Sequence, residues 1–341
     1  MRRFITALAS TTALITALTA TALPAAACAG LIGSNGAVNL GRTTTFAAYH
    51  DGVEHYVTAF KFAGGGGQFG TLIPLPGIPS SVEKGGGWTL QRLIQETTPP
   101  RPAAARFDLA LGAAQESAQV LMTARVDALD LTVLKGGSRA VADWAIGHGF
   151  SLSPDAPEVL EFYANRSPIF LAAVFDSDAA AERGQAIGDG TPVQITIPTT
   201  NPWVPLRILA LGKQAGDTVQ ADVFLLTDRL PTILPGARSG LSVFHSAPAK
   251  VSLLDDLRSD ERMEWVPKSG WLTQMRIDSR AGDMAYDLAV DASGQGTPSR
   301  LAAGLDPVER PLQLEALGGP GVLVLAVLGL PLAIALRRRL G

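Results

Sequence analysis

The stretch that decides the fold is TFAAYHDGVEHYVTAFKF, residues 45–62, in which β-branched and aromatic residues crowd around the Asp51-Gly52 pair. An Asp-Gly pair between alternating segments is the strongest short-range signal for a β-hairpin. A two-residue type I′ turn at this pair would place Glu54 opposite Tyr49. We therefore predict two antiparallel strands that are joined at this turn.

The hairpin carries two of the four histidines of the chain, His50 and His55. With a two-residue turn, both imidazoles lie on one face as diagonal neighbours about 7 Å apart. Such a pair could bind a metal only if a third ligand came from elsewhere, because two nitrogens alone bind a metal poorly. With a three-residue loop and a bulge at Gly52, the two side chains separate. Both readings stay open, and we predict no cofactor.

The N-terminus has the pattern of an export signal. Arg2 and Arg3 precede a mostly apolar run, which closes on small residues between Pro24 and Ala27. A basic start, an apolar middle and a small-residue end are typical of a secretory signal peptide. We predict cleavage after Ala27, so that residues 1–27 are removed.

Cleavage at that point makes Cys28, the single cysteine of the chain, the first residue of the mature protein. Cys28 has two readings, a lipid-modified N-terminus or a bystander beside an ordinary cleavage site. Lipoprotein signals favour leucine three residues before the cysteine, and Ala25 stands there instead. A single cysteine excludes an internal disulfide, and exported domains of this size can fold without one.

The C-terminal segment 316–336 has no charged side chain, and the three arginines Arg337 to Arg339 follow it at once. At about 1.5 Å of rise per residue, a helix over this segment matches a hydrocarbon core of about 30 Å. Basic residues beside a span stay cytoplasmic. We predict a single-pass protein of the cell membrane, with 316–336 as the span, 337–341 as a cytoplasmic tail and the body outside.

The charge balance of the chain indicates which classes of partner it can bind. The chain has 28 Lys and Arg against 31 Asp and Glu, and both of its ends are basic and without acids. The region between the ends is therefore distinctly acidic, which argues against nucleic acid as a partner. The expected partners are the membrane, through the C-terminal helix, and an envelope protein or polymer.

The pattern between the ends predicts more strand than helix. Helices are predicted at 88–96 and as a pair that begins at Ser138 and Ser153. FGTLIPLPGIPSS is predicted as an extended, edge-like passage because it holds three prolines. Apolar runs bounded by Gly, Pro or Asp predict strands in QVLMTARVDALDLTVL, IFLAAVF, VQITIP, LRILALG, VQADVFLLT, LSVFHSAPAKVSLL, GWLTQMRID and AYDLAVDAS.

Because the helices are clustered rather than alternating with strands, we predict a strand-rich α+β fold. Its sheets are mostly antiparallel, with a small helical insertion and one C-terminal transmembrane helix. Residues 28–228 form the main extracytoplasmic domain. Residues 229–315 form a β-rich extension that ends in a membrane-proximal spacer, GQGTPSRLAAGLDPVERP.

One further segment, LTVLKGGSRAVADWAIG, places Ser138 between a strand and a helix. It resembles the nucleophile elbow G-x-S-x-G, and the order Ser138, Asp228, His245 would suit an α/β-hydrolase. That fold needs repeated strand-helix-strand units, which this chain lacks. As an N-cap, Ser138 is explained without catalysis.

Several blocks in order resemble a known family: GAVNLGRTTTFAAYHDGVEHYVTAFKF, FGTLIPLPGIP, WTLQRL, SPDAPEVLEFYANRSPIFLAAVF and WVPLRILALGK followed by ADVFLLTDR. They are similar to the bacterial exported proteins of domain of unknown function family 2330, over residues 29–229. The resemblance implies an envelope protein with a signal peptide and often a terminal membrane anchor. It implies no activity and no catalytic residues.

The sequence thus predicts a membrane-anchored extracytoplasmic module of unknown activity, with a binding, interaction or structural role in the cell envelope rather than an enzymatic one. The alternative is an anchored hydrolase that uses Ser138 or a metal at His50 and His55. The two differ in geometry, because a hydrolase needs these side chains to converge on one cleft.

Overall fold

The computed structural model describes residues 30–33, 36–37, 42–61, 69–97, 118–184 and 190–306. The strands are, in chain order, β1 (Gly30–Gly33), β2 (Gly36–Ala37), β3 (Thr43–His50), β4 (Val53–Lys61), β5 (Phe69–Pro74), β6 (Ser81–Lys84), β7 (Gln119–Val126), β8 (Leu129–Lys135), β9 (Ile169–Phe175), β10 (Gly190–Pro198), β11 (Trp203–Val204), β12 (Thr218–Thr227), β13 (Thr232–Leu234), β14 (Leu241–Pro248), β15 (Trp271–Arg280) and β16 (Leu288–Asp291). The helices are α1 (Thr89–Thr97), α2 (Ser138–Gly147), α3 (Ala156–Ala164), α4 (Ser177–Glu182) and α5 (Val251–Ser259).

The described strands form three sheets. The seven-stranded sheet has the order β14-β15-β12-β3-β4-β10-β6, the six-stranded sheet β2-β1-β5-β9-β8-β7, and the small sheet β11-β16-β13. Their strand pairings are antiparallel except that of β12 with β3, which is parallel. This parallel pairing places the N-terminal hairpin beside a strand from the second half of the chain.

The largest core lies between the two large sheets. On β9, Ile169, Leu171 and Ala173 face this core, whereas Phe170 and Ala172 belong to a second core on the opposite face. Because β9 is buried on both faces, its sequence is an uninterrupted apolar run rather than an alternating one.

Helices cover the outer face of each large sheet. On the six-stranded sheet, Trp144 of α2 and Tyr163 of α3 pack in the same core as Phe170. On the seven-stranded sheet, Leu93 of α1 and the α5 leucines pack in the same core as Phe46. The described elements therefore stack as helix, sheet, sheet and helix, each apolar face buried against the next layer.

The predicted fold class is confirmed at the level of a strand-rich α+β protein with mostly antiparallel sheets. The hairpin, α1 and α2 also lie where the sequence predicts them. The second helix of the pair, α3, is present but begins at Ala156 with Asp155 as its N-cap, after the predicted start at Ser153. The predicted signal 1–27, Cys28 and the span 316–336 lie outside the described residues. Among the residues that are described, no helix combines the length and the apolar character that a membrane crossing needs.

The prediction of a strand in LRILALG is wrong, because Arg207–Ala210 forms a 3₁₀ turn. The buried Asp287 carboxylate accepts hydrogen bonds from the backbone N–H groups of Leu206 and Arg207, at 2.8 and 3.0 Å. A distant acid thus satisfies the first donors of the turn, and no local pattern in the sequence reveals it.

The end of LSVFHSAPAKVSLL is also helical rather than extended, since α5 begins at Val251. Leu253, Leu254 and Leu257 are the buried residues of this helix. Their spacing is the i, i+1, i+4 pattern of a helix face. The first two fall at the end of a short apolar run, which a strand explains equally well by itself.

Two more expectations differ from the structure. β5, predicted as edge-like, lies inside its sheet between β1 and β9, because the first proline of the segment, Pro74, is the last residue of the strand. The predicted spacer is packed as far as it is described, since Ala302 and Ala303 are buried in the core beside α3.

Candidate functional site

The turn of the hairpin is the two-residue turn that the sequence predicts. Asp51 and Gly52 both have positive φ, 48° and 78°, as a type I′ turn requires. In the register of the two strands, Tyr49 pairs with Glu54 and Ala48 with His55. The predicted pairing is confirmed, and it sends Glu54 to the face of the sheet opposite to the histidines.

His50 lies between two carboxylates at the tip of the hairpin. Its Nδ1 is 2.6 Å from an oxygen of Asp228, and its Nε2 is 3.3 Å from an oxygen of Asp51. The His50 side chain is 43% exposed. These contacts orient the imidazole at the surface, where ion pairs contribute little to stability.

His55 has a different environment from His50. Its ring stacks on Trp265 with centroids 3.9 Å apart and planes inclined by 5°. Burial, followed by the charge of nearby His50, lowers the pKa of His55 to about 4. Its buried Nδ1 has no hydrogen-bond partner in the described structure. In the parts of the chain that are described, no three His, Cys, Asp or Glu side chains are grouped to hold a metal ion.

The three residues of the elbow hypothesis have separate partners. Ser138 is the first residue of α2 and donates to Glu161 at 3.0 Å, whereas the N-cap position belongs to Gly137, so the prediction of a Ser138 cap is wrong. Asp228 is bonded to His50 rather than to His245. His245 lies in β14 opposite Gln274. Within the described residues, no hydrogen bond joins any two of these three.

A cleft of about 590 Å³ lies beside the hairpin turn. One wall is the segment 198–203, called the cleft loop below, which runs from the last residue of β10 to the first residue of β11. Most lining side chains are uncharged and carry hydroxyl, amide or small apolar groups, and Arg166 is the single charged residue among them. The lining residues are Gly52, Pro76, Arg166, Ser167, Pro198, Thr199, Thr200, Asn201, Trp203, Ser299, Leu301 and Ala302.

Arg166 is held by a buried polar network at the base of this cleft. Its side chain is 5% exposed, and Nη2 donates to Asp287, which is fully buried, at 2.9 Å. Asp287 also accepts from the Tyr163 hydroxyl at 2.8 Å. The guanidinium lies 3.3 Å from the centroid of the Phe162 ring. Burial lowers the pKa of Arg166, and the Asp287 charge opposes that shift.

Two hydrogen bonds tie the cleft loop to the hairpin. The Thr199 N–H donates to the Gly52 carbonyl at 3.0 Å. The Tyr49 hydroxyl donates to the Thr199 carbonyl at 2.9 Å. The loop is also ordered internally, because the Asn201 N–H donates to Thr199 Oγ1 at 3.1 Å. The hairpin turn therefore supports the wall of the cleft.

Glu54 lies under the same loop. It is 1% exposed, and neither of its carboxyl oxygens has a hydrogen-bond partner in the described structure. It lines a small cavity of about 10 Å³ together with Tyr49, Pro202 and Val290, among others. Burial raises the pKa of Glu54 to about 8, although the nearby Trp203 backbone opposes part of that rise. The side chain is therefore mostly neutral at pH 7.

Sequence reasoning missed both the cleft and Glu54. Arg166, Asn201 and Ser299 are far apart in the chain and belong to no motif. The register of the hairpin does contain a signal for Glu54, because it shares a face with the apolar residues Ala47 and Tyr56. A carboxyl on an otherwise apolar strand face is expected to be buried and perturbed.

No family model matches this sequence, and no curated protein sequence matches it. Among solved structures, baculovirus P35 is similar at 10% identity over 75% of this chain and 98% of P35, with a TM-score of 0.39. P35 in the caspase-8/P35 complex is similar at 10% identity over 74% and 91% of the two chains, with a TM-score of 0.35. A mutated P35 after caspase cleavage gives 9% identity, 74% and 94% coverage and a TM-score of 0.35. Likeness at this level carries no inference about function.

Proposed function

We propose that this chain is a membrane-anchored binding module of the bacterial envelope, of the type of domain of unknown function family 2330. The support for the location is the sequence of the two ends, with an export signal at 1–27 and an apolar segment at 316–336 before the arginines. The support for the family is the order of the sequence blocks in the N-terminal two thirds. The body of the protein is outside and the tail is cytoplasmic.

The observation that carries the binding role is the cleft beside the hairpin turn. Its volume of about 590 Å³ is within the range of small-molecule and oligomer sites, about 300 to 1,000 Å³. Thr200, Asn201 and Ser299 supply hydroxyl and amide groups to its wall. These groups match a ligand that carries hydroxyls and amides. We therefore propose an envelope polymer with such groups as the ligand, and N-acetylated glycan oligomers as the first probe.

A hydrolase is the alternative function for this chain. Ser138 is hydrogen-bonded to Glu161, and His55 is stacked on Trp265. In the described residues, Ser138 therefore has no histidine base beside it, and His55 has no catalytic nucleophile beside it. No observation in the described residues favours this alternative over binding in the cleft. We therefore propose no catalytic residue.

The test is a binding titration of the full chain in detergent with soluble N-acetylated glycan oligomers. Thr200→Trp fills the cleft with an indole at an exposed loop position. Thr218→Trp makes the same change at an exposed position at the start of β12, away from the cleft. We expect saturable binding by the natural chain and by Thr218→Trp, and at least tenfold weaker binding by Thr200→Trp.

Equal affinity of both variants would show that the ligand binds elsewhere, and would overturn the cleft as the site. Absence of binding to any oligomer would overturn the proposed ligand class. Circular dichroism of both variants, compared with the natural chain, separates a blocked cleft from a misfolded protein.

A further inference from the structure

The cleft loop rests on a small, largely apolar compartment that contains a single acid. The compartment is lined by Ala47, Tyr49, Glu54, Pro202, Val204, Leu225, Thr227 and Val290. Pro202 belongs to the cleft loop, and its neighbours Asn201 and Trp203 line the cleft itself. The same loop therefore forms the wall of the cleft on one side and the cover of Glu54 on the other.

The compartment is too small and too apolar to hydrate a charge. Its volume of about 10 Å³ corresponds to about one water molecule. Both Glu54 oxygens are buried without a hydrogen-bond partner. An ionised carboxylate without a partner in such surroundings is strongly disfavoured. Ionisation therefore requires water to enter.

The group that would stabilise a negative charge on Glu54 is the Trp203 backbone N–H, which lowers the pKa of Glu54 by less than burial raises it. The side chains that face Glu54 add no compensating positive charge. From β3, the titratable group is Tyr49, whose pKa is itself raised by burial and then by the charges of Glu54 and Asp291. β10 presents Ile197 opposite Glu54, and the loop 198–203 has no charged residue. β12 contributes Thr227, and β16 contributes Val290. The other titratable side chains near this end of the strands are His50 on β3, Asp51 in the turn, His55 on β4, Asp228 after β12 and Asp291 on β16.

We propose that Glu54 is a proton-dependent latch on the cleft: the neutral acid lets the loop 198–203 close over it, and ionisation displaces the loop and weakens ligand binding. The inference rests on the proposed binding function only in its last step, since loop displacement does not require a ligand. Water would enter by displacing the loop, because Pro202 covers the compartment. This displacement breaks the two hydrogen bonds between Thr199 and the hairpin.

The direction of the pH dependence follows from the protonation of the closed state. The closed loop requires neutral Glu54, whose pKa is about 8. Ligand affinity should therefore be constant below about pH 7 and about tenfold weaker at pH 9, because each pH unit above the pKa costs a factor of about ten. A chain with Gln at position 54 cannot ionise there, so its affinity should not change with pH in this range.

The ligand-free test uses fluorine NMR of the full chain labelled with 5-fluorotryptophan. Trp203 is buried and lies next to Pro202, so its resonance reports the position of the loop. Trp203→Phe identifies this resonance among the five tryptophans of the chain. We expect the Trp203 resonance to shift with a midpoint near pH 8 in the natural chain, and to be invariant between pH 6 and pH 9 in Glu54→Gln. The half-exposed Glu83 of β6 supplies the control, Glu83→Gln, which should titrate like the natural chain.

An invariant Trp203 resonance in the natural chain would overturn the latch, and so would an unchanged titration in Glu54→Gln. If Glu54→Gln does not fold, the pH titration of Trp203 in the natural chain still tests whether the loop moves. Binding of N-acetylated glycan oligomers at pH 7 and pH 9 then tests the last step. A titrating loop without binding at either pH would refute the proposed ligand and leave the latch intact, whereas binding with the same affinity at both values would refute the latch.

Discussion

At the scale of residues, Glu54 and His55 are neighbours on β4 that face opposite cores and respond to pH in opposite directions. Burial raises the pKa of Glu54 to about 8 and lowers that of His55 to about 4. The folded state therefore retains a proton on Glu54 that the unfolded chain loses near pH 4.5, and it excludes a proton from His55 that the unfolded chain binds below about pH 6.5.

The two groups predict a particular pH profile of stability. Glu54 lowers the free energy of unfolding as pH rises from 4.5 to 8, whereas His55 raises it between 4 and 6.5. Between pH 4.5 and 6.5 the contributions of Glu54 and His55 to the free energy of unfolding change in opposite directions. Above pH 6.5, only the Glu54 contribution of the two still changes with pH. We expect the free energy of unfolding to fall by about 2 kcal/mol between pH 6.5 and 8, measured by denaturant titration of the full chain.

In Glu54→Gln this fall above pH 6.5 should be absent. In His55→Asn the fall above pH 6.5 should remain. Because the opposing His55 contribution is absent in this variant, its free energy of unfolding should fall with rising pH from about pH 4.5 onward. An equal slope above pH 6.5 in the natural chain and in Glu54→Gln would contradict the assignment to Glu54.

At the scale of elements, α1 owes its beginning to an acid 171 positions away. The Asp260 carboxylate accepts hydrogen bonds from the backbone N–H groups of Gly87, Trp88 and Thr89 and from the Thr89 hydroxyl, at 2.8 to 3.1 Å. These are donors that a helix leaves unsatisfied at its start, and a negative charge there is stabilised by the helix dipole. A Cβ atom at Gly86 would clash with the Asp260 carboxylate and the Thr89 hydroxyl, which explains why a glycine precedes this helix.

Removal of this carboxylate should be costly. We expect Asp260→Ala to lower the free energy of unfolding by about 3 kcal/mol, because it leaves the buried N–H and hydroxyl of Thr89, and two partly buried backbone N–H groups, without this acceptor. Asp255→Ala, on the exposed side of α5, removes only a surface ion pair with Arg258 and should cost less than about 1 kcal/mol. Denaturant titration measures both, and equal losses would refute the capping role.

At the scale of the whole molecule, distant parts of the sequence meet in shared sheets and buried networks. β15 pairs with β12 over ten residue positions, and β12 pairs with the N-terminal strand β3. Asp287, just before β16, bonds Tyr163 and Arg166 from the region of α3 and two backbone groups at residues 206 and 207. The part of the chain after residue 229 is therefore integral to the packing of the part before it.

This integration predicts that Asp287 is among the most sensitive positions. We expect Asp287→Ala to lower the free energy of unfolding by about 3 to 5 kcal/mol, because it leaves the buried Arg166 charge without its carboxylate and the Tyr163 hydroxyl without an acceptor for its proton. Asp283→Ala, at an exposed position of the short turn before it, is the matched control and should cost below about 0.5 kcal/mol. A small loss for Asp287→Ala, measured by thermal and denaturant unfolding, would show that the network is dispensable.

Local sequence patterns were sufficient to predict features that depend on neighbouring residues in the chain. The Asp51-Gly52 pair determined the hairpin and its register, because a type I′ turn allows one pairing of the flanking strands. The charge-free segment before the terminal arginines led to the predicted membrane span. The apolar run of β9 marked a strand, and the proline-bounded segments around it marked where strands and helices end.

The tertiary structure alone decided which distant groups meet. The cleft joins Gly52, Arg166, Asn201 and Ser299 from four separate segments, and no spacing in the sequence connects them. Asp228 bonded His50 rather than His245, since side-chain partners follow from the packing of strands rather than from their order. Glu54 is visible in the sequence as a residue of a strand, but its burial and raised pKa arise from the loop that covers it. The reason is that desolvation depends on atoms brought close by the fold, whereas turn and strand preferences depend on neighbours in the chain.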